Sequence, residues 1–202
     1  MKKGAIIALV IVGAFLLVGF GIISWGIGVN NNLVAQEQGV NNKWGQVQNQ
    51  YQRRMDLIPN LVNTVKGVAN FERGTLTDVI EARAKATQIQ VTPQTLDDPQ
   101  AFQKFQQSQG EISSALSRLL VTVEAYPSLK ANENFLQLQA QLEGTENRIA
   151  VARMEFNEVV QGYNTTLKQF PGSIIAGFRG FREKQYFSAQ TGAETAPKVD
   201  FN

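Results

Sequence analysis

Residues 4–27, GAIIALVIVGAFLLVGFGIISWGI, contain no charged side chain, and Ser24 is their only conventional polar one. As a helix rising about 1.5 Å per residue, the run reaches roughly 36 Å, enough for a hydrocarbon core of about 30 Å. A cleaved leader is the competing reading. Its apolar stretch is typically about 7–15 residues long and closes on a small-x-small site. This run is longer, and no A-x-A follows it closely. A lipoprotein leader would need a cysteine, and the chain has none. The run predicts a retained anchor over residues 1–28. Lys2 and Lys3 precede it, whereas the next basic residue is Lys43. That bias predicts a single pass through a membrane, with the N-terminus cytoplasmic and the rest extracytoplasmic.

Beyond the run, apolar residues recur every three or four positions. One seam runs Leu33, Val40, Trp44, Val47, Tyr51, Ile58, Leu61, Val65, Val68, a mean step near 3.5 that fits helix and not strand. Pro59 sits inside it and predicts a kink in a helix that continues to about Asn70. Glu72-Arg73-Gly74-Thr75 weakens the pattern, as a break or as a bend. A shorter helix follows over 75–88, with Leu76, Val79, Ile80 and Arg83 on one side. Two prolines mark 91–99 as a loop. Asp98-Pro99 reads as an N-cap followed by proline at the first helical position. The next helix carries Phe102, Phe105, Ile112, Leu116, Leu119 and Val123 and stops at Tyr126-Pro127. Asn132 reads as the next N-cap. The last long helix carries Phe135, Leu138, Leu142, Ile149, Phe156, Val159, Tyr163 and Phe170, with a polar interval at Thr145, and ends at Pro171-Gly172.

Long helices need a partner for their apolar stripe. The pattern therefore predicts an all-α chain: one transmembrane helix, then an elongated antiparallel three- to four-helix bundle of long, coiled-coil-like helices over 29–172. The last helix should return toward the bilayer and bring Phe170 close to it. Residues 173–202 form an amphipathic segment and a polar tail, from Ser188 onward loosely ordered.

Composition narrows the chemistry. The chain has no Cys and no His, which removes thiol nucleophiles, Ser-His-Asp triads, zinc ribbons and His-ligated metal centres. A net charge of +2 argues against a nucleic-acid partner. No phosphate-binding glycine loop occurs. No cofactor is expected. Glu143 and Glu146 form an i,i+3 carboxylate pair of the kind that is usually solvated.

Two polar clusters stand out: Arg53, Arg54, Asp56 and Asn60 on the first helix, and Glu146, Arg148, Arg153 and Glu155 on the last. In antiparallel helices they fall at similar heights. Their expected role is an interhelical network that sets register rather than strength; a groove for an anion or peptide is the other reading. The stretch Ser173–Phe187 mixes Phe178, Phe181 and Phe187 with Arg179, Arg182 and Lys184. It either caps the open end of the bundle or lies on a membrane surface, aromatics down and cations toward anionic headgroups.

YQRRMDLIPNLVNTVKGVANFERGTLTDVIEARAKA (51–86), YPSLKANENFLQLQAQLEGTENRIAVARMEFNEVVQGYN (126–164), Phe170-Pro171 and the close YF (186–187) with PKVDF (197–201) together resemble the bacterial LemA family over nearly the whole chain. The runs RR-x-D-L-I-P-N-L-V and T-E-N-R-I-A-x-A-R are long and specific. One departure is Phe71-Glu72, where the family often has His-Glu. The resemblance implies a membrane-anchored helical bundle without catalytic activity; the family includes a protein of the magnetosome membrane.

These observations point to a non-enzymatic scaffold or interaction module of the bacterial cell envelope. Its partners would be the lipid bilayer, other membrane or envelope proteins, and further copies of itself through glutamine-rich faces (the chain has 21 Gln). The alternative is a carboxylate-dependent envelope hydrolase, or an accessory subunit of a membrane enzyme, which would need two acids converging in a cleft.

Overall fold

The computed structural model describes residues 3–68, 71–89 and 92–189. Asn70, Val91, the family-like PKVDF and the tail from residue 190 lie outside the described residues. The described residues are helical, with no strand among them: α1 (Lys3–Lys66), α2 (Arg73–Thr87), a short 3₁₀ helix (Pro93–Asp97), α3 (Pro99–Val123), α4 (Pro127–Lys130), α5 (Glu133–Lys168) and α6 (Gly172–Arg179). This is a helical bundle.

The chain divides into two compact units. One holds residues up to 41 together with 159–183; the other holds 42–158 together with 184 onward. The second unit contains the main core. α1 contributes Met55, Ile58, Leu61, Val62 and Val65; α2 adds Leu76, Val79 and Ala82; α3 adds Ile112, Leu116 and Leu119; α5 adds Phe135 and Leu142. Within this unit α1 and α5 are antiparallel, since Lys43 meets Glu155 and, further along α1, Arg54 meets Glu146 further back on α5.

The heptad seam of α1 is buried from Leu33 to Val65, and Val68 packs against the core while half-buried. Pro59 lies inside α1 without ending it. α1 ends at Lys66, short of the expected Asn70, and Arg73, Gly74 and Thr75 of the expected weak point open α2 with Glu72 as its N-cap, so the break precedes that point. The 91–99 loop contains the 3₁₀ helix, which Thr92 caps reciprocally with Thr95. Asp98 caps α3 by accepting from the amides of Gln100 and Ala101, and Asn132 accepts from Phe135 N at 3.1 Å. Such caps satisfy amide donors that the helix itself cannot. Phe71, at the departure from the family pattern, is buried with its ring 4.8 Å from that of Tyr126.

Three seam assignments need correction. Ile80 is exposed, with its neighbour Val79 buried instead. On α5 the fully buried position between Phe156 and Tyr163 is Val160, four residues past Phe156, not Val159, three past it; the seven-residue step from Phe156 to Tyr163 itself holds. Phe170 lies beyond the end of α5 and is exposed. Thr145, in the polar interval, is fully buried and spends its hydroxyl on Gln141 O at 2.7 Å.

Leu61 is 0% exposed in the centre of this core. Leu61→Asp is expected to destabilise the full-length chain in detergent by about 3 kcal/mol or more, because the new carboxylate finds no partner. Circular dichroism melts against Leu61→Met check this, and an unchanged curve would misplace the core.

Candidate functional site: a buried arginine, a clamped strap and an open groove

Three features of the second unit concentrate its polar chemistry. The first is Arg54, only 1% exposed on α1. Its Nη1 donates to Ser113 Oγ and to Glu146 Oε1, both at 2.9 Å. Its Nη2 donates to the Gln109 carbonyl oxygen at 3.3 Å and to the Gln109 side-chain oxygen. Its Nε is buried without an acceptor among the described residues. The guanidinium also lies 5.1 Å from the Tyr51 ring centroid, within cation–π range. One arginine thus ties α1 to both α3 and α5. Glu146 keeps a half-exposed side chain, so solvent screens its charge and the neutral acceptors carry much of the pairing.

The predicted polar cluster separates on this scaffold. Arg54 and Glu146 pair directly. Arg53, Asp56, Asn60 and Arg148 are exposed, and Asp56 accepts from Gln52 one turn earlier on its own helix at 2.7 Å. Glu155 accepts from Lys43 at 2.8 Å, a separate α1–α5 tie. Arg153 serves the second feature.

That feature is an extended strap, residues 184–189, which sequence patterning reads as the end of an amphipathic segment and, from Ser188, the start of a loosely ordered tail. Lys184 is buried and pairs with Asp97 at 2.6 Å, while Gln185 N donates to Leu96 O at 3.0 Å. Asn157 reads the Phe187 backbone in both directions: Phe187 N donates to its Oδ1 and its Nδ2 donates to Phe187 O, both at 2.9 Å. Ser188 O accepts from Gln106 Nε2 at 2.7 Å and from an Arg153 guanidinium nitrogen at 3.1 Å. The Phe187 ring enters an aromatic cluster with Trp44, Phe102 and Phe156 at centroid distances of 5.0–6.0 Å, under the Arg153 guanidinium at 4.6 Å. Lys184 and Phe187 are therefore interior residues and not part of a membrane-facing surface, a correction to that reading of 173–187. Asn157 was the available signal: an amide side chain is the residue type that can satisfy a strand's donor and acceptor at once.

The third feature is a groove of about 950 Å³ along α2, α3 and the strap. Gln103, Gln106, Gln107 and Gln185 line it together with Asp78, Glu81, Lys85, Glu111 and Arg118. Arg118 reaches Asp78 across it at 3.2 Å, and Lys85 stands 3.9 Å from Glu111. Both signs of charge are thus interspersed among amides. Among the described residues no group of three or more Asp or Glu side chains is placed to share a metal ion.

Burial pushes the Tyr51 phenol above its ordinary value; Arg153 and Arg54 pull the other way, and Glu146 raises it further.

A bundle held by buried polar ties, with one helix among the described residues long and apolar enough to cross a membrane, fits the class of membrane-associated helical proteins. The family model described as LemA family matches residues 43–201, and the chain belongs to that family. It is similar to magnetosome protein MamQ 2 of Paramagnetospirillum magneticum, 23% identical over 96% of this chain and 77% of the relative. Magnetosome protein MamQ of Magnetospirillum gryphiswaldense is 26% identical over 71% of this chain and 59% of its own. Protein LemA of Metamycoplasma hominis is 23% identical over 80% and 73% respectively.

Two outcomes test the geometry. Arg54→Met is expected to cost about 3 kcal/mol or more, since it strands Gln109 and Ser113 in the interior. Glu146→Gln should cost about 1 kcal/mol or less, because Arg54 keeps Ser113 Oγ and both Gln109 oxygens as acceptors; denaturant melts compare the two. For Tyr51, a raised folded-state pKa means that its contribution to stability is complete below the ordinary tyrosine range. That contribution falls as pH rises from there through the raised value. Melts across alkaline pH should show a loss that Tyr51→Phe reduces.

Proposed function

We propose that the protein is a non-enzymatic interaction module of the bacterial cell envelope, tethered to the inner membrane by the apolar part of α1, with its N-terminus cytoplasmic. The groove along α2 and α3 carries this reading. It is open, rich in amides and balanced in charge, which suits a polypeptide partner: amides pair with backbone or side chains at a lower desolvation cost than ions do. The buried polar groups nearby support the same view, since Arg54, Lys184 and Asn157 are spent on holding helices and strap together. Kinship to magnetosome proteins and to the LemA protein fits a role in organising proteins at a membrane. Copies of this chain are among the partners such a groove could hold.

The test is photo-crosslinking in native membranes, with benzoyl-phenylalanine placed at Gln103 or Gln107 in the groove and at Arg148 as an exposed control. Groove positions are expected to give discrete protein adducts, heteromeric or between copies, that the control does not. Adducts no more frequent than from Arg148 would overturn the assignment.

A further inference from the structure

α6 and the turn before it present an apolar face that the described residues do not cover. Phe178 is 86% exposed, Phe170 74% and Ile174 48%. They follow one another at steps of four, so within α6 Ile174 and Phe178 share a face. The opposite face is packed. Ala176 is buried, and Ile175 Cδ1 lies 3.8 Å from where a β-carbon on Gly26 would stand. Two glycines build this corner. A side chain at Gly172 would drive its β-carbon to 2.0 Å from Thr166 O, and Gly180 ends α6 at φ +76°, where a β-carbon is disfavoured.

The contacts of this unit place α6 along α1. Phe170 lies 6.0 Å from Trp25, centroid to centroid, and Arg179 Nε donates to Asn30 Oδ1 at 3.1 Å. The apolar run of α1 ends at Ile27, with its large side chains from Ile6 onward exposed. From Trp25 to Asn30 the helix rises about 7.5 Å, close to the depth of the interfacial layer outside a hydrocarbon core of about 30 Å. The bare face of α6 thus continues the bare surface of the span at the level where Trp collects.

We propose that Phe170, Ile174 and Phe178 insert into the interfacial layer of the bilayer, making α6 a second membrane contact beside the span. Arg179, the last residue of α6, and Arg182, three residues further on in the extended chain, are both exposed and available to anionic headgroups. Lys168 pairs with Glu183 at 2.7 Å, which leaves the arginines to set the local sign. The proposal rests on the span being in the membrane. Its consequence is orientational: a helix gripped at two points cannot spin freely about its axis.

The absence of cysteine makes the test direct. Single substitutions Ile174→Cys and Phe178→Cys in the full chain each give one site for an environment-sensitive NBD label. Leu16→Cys reports the bilayer core, and Val151→Cys, on exposed α5 surface, reports water. The proteins are placed in phosphatidylcholine nanodiscs, with or without phosphatidylglycerol, each disc holding one copy. Quenching is by lipids labelled at shallow or deep positions. Labels at 174 and 178 are expected to be quenched about twofold or more over 151, chiefly by the shallow quencher, and more strongly with phosphatidylglycerol. Quenching at 178 and 174 equal to that at 151, with 16 quenched, overturns the proposal and leaves the anchor standing. A blue shift in many-copy vesicles that vanishes in one-copy discs assigns the face to a second copy and overturns it too. Loss of quenching at 16 would sink the anchor itself.

Discussion

An isolated helix in water loses more conformational freedom than its own hydrogen bonds return, so burial of an apolar stripe decides whether it exists. In the second unit that condition is met around Trp44. Its indole sits within 5.4–6.0 Å, centroid to centroid, of Phe102, Phe105, Phe156 and Phe187, drawn from α3, α5 and the strap. Aromatic pairs of this kind contribute about 0.5–1.5 kcal/mol each beyond area burial. Three segments distant in sequence therefore converge on one α1 side chain, and the seam positions above and below it inherit their alignment.

Aromatic burial is attractive but tolerant of sliding by a turn. The polar ties are not. Arg54 finds Gln109, Ser113 and Glu146 in only one register of α1 against α3 and α5, and a shift of a turn would leave a guanidinium dry and unpaired. Lys184 with Asp97, and Asn157 with the Phe187 backbone, do the same for the strap. Apolar contacts supply the driving force, and a few buried polar groups select the alignment.

Period-3.5 patterning made the helices legible because each long helix buries one stripe, and the seam from Leu33 to Val65 could be read directly. Caps were legible too, since Asp98 and Asn132 act through local geometry alone. What patterning could not reach was the fate of individual charges. Arg53 and Arg54 are adjacent and chemically identical, yet the helix turns them by about 100° relative to each other, so one is buried and the other exposed. The same limit hid the strap. An extended segment held by side-chain amides has no period of its own, and its partners lie on α3, α5 and the 3₁₀ helix, far away in sequence.

The run from Phe170 to Phe187 shows where pattern reading meets backbone geometry. As sequence it is a continuous mixture of aromatics and cations, which invites a single amphipathic helix. Gly180 forbids that: in the left-handed conformation it closes α6, and its amide bonds back to Ala176 O at 2.8 Å. Before it, helical spacing keeps Ile174 and Phe178 on one open face. After it, the chain is extended, and each side chain is placed by its own neighbours: Lys184 by Asp97, Phe187 by the aromatic cluster. Identical residue types thus acquire opposite environments on either side of one glycine. A phenylalanine at 178 is left uncovered by the described residues, whereas one at 187 is enclosed by a cluster of rings. The backbone switch, rather than composition, divides the side chains left exposed from those the bundle keeps.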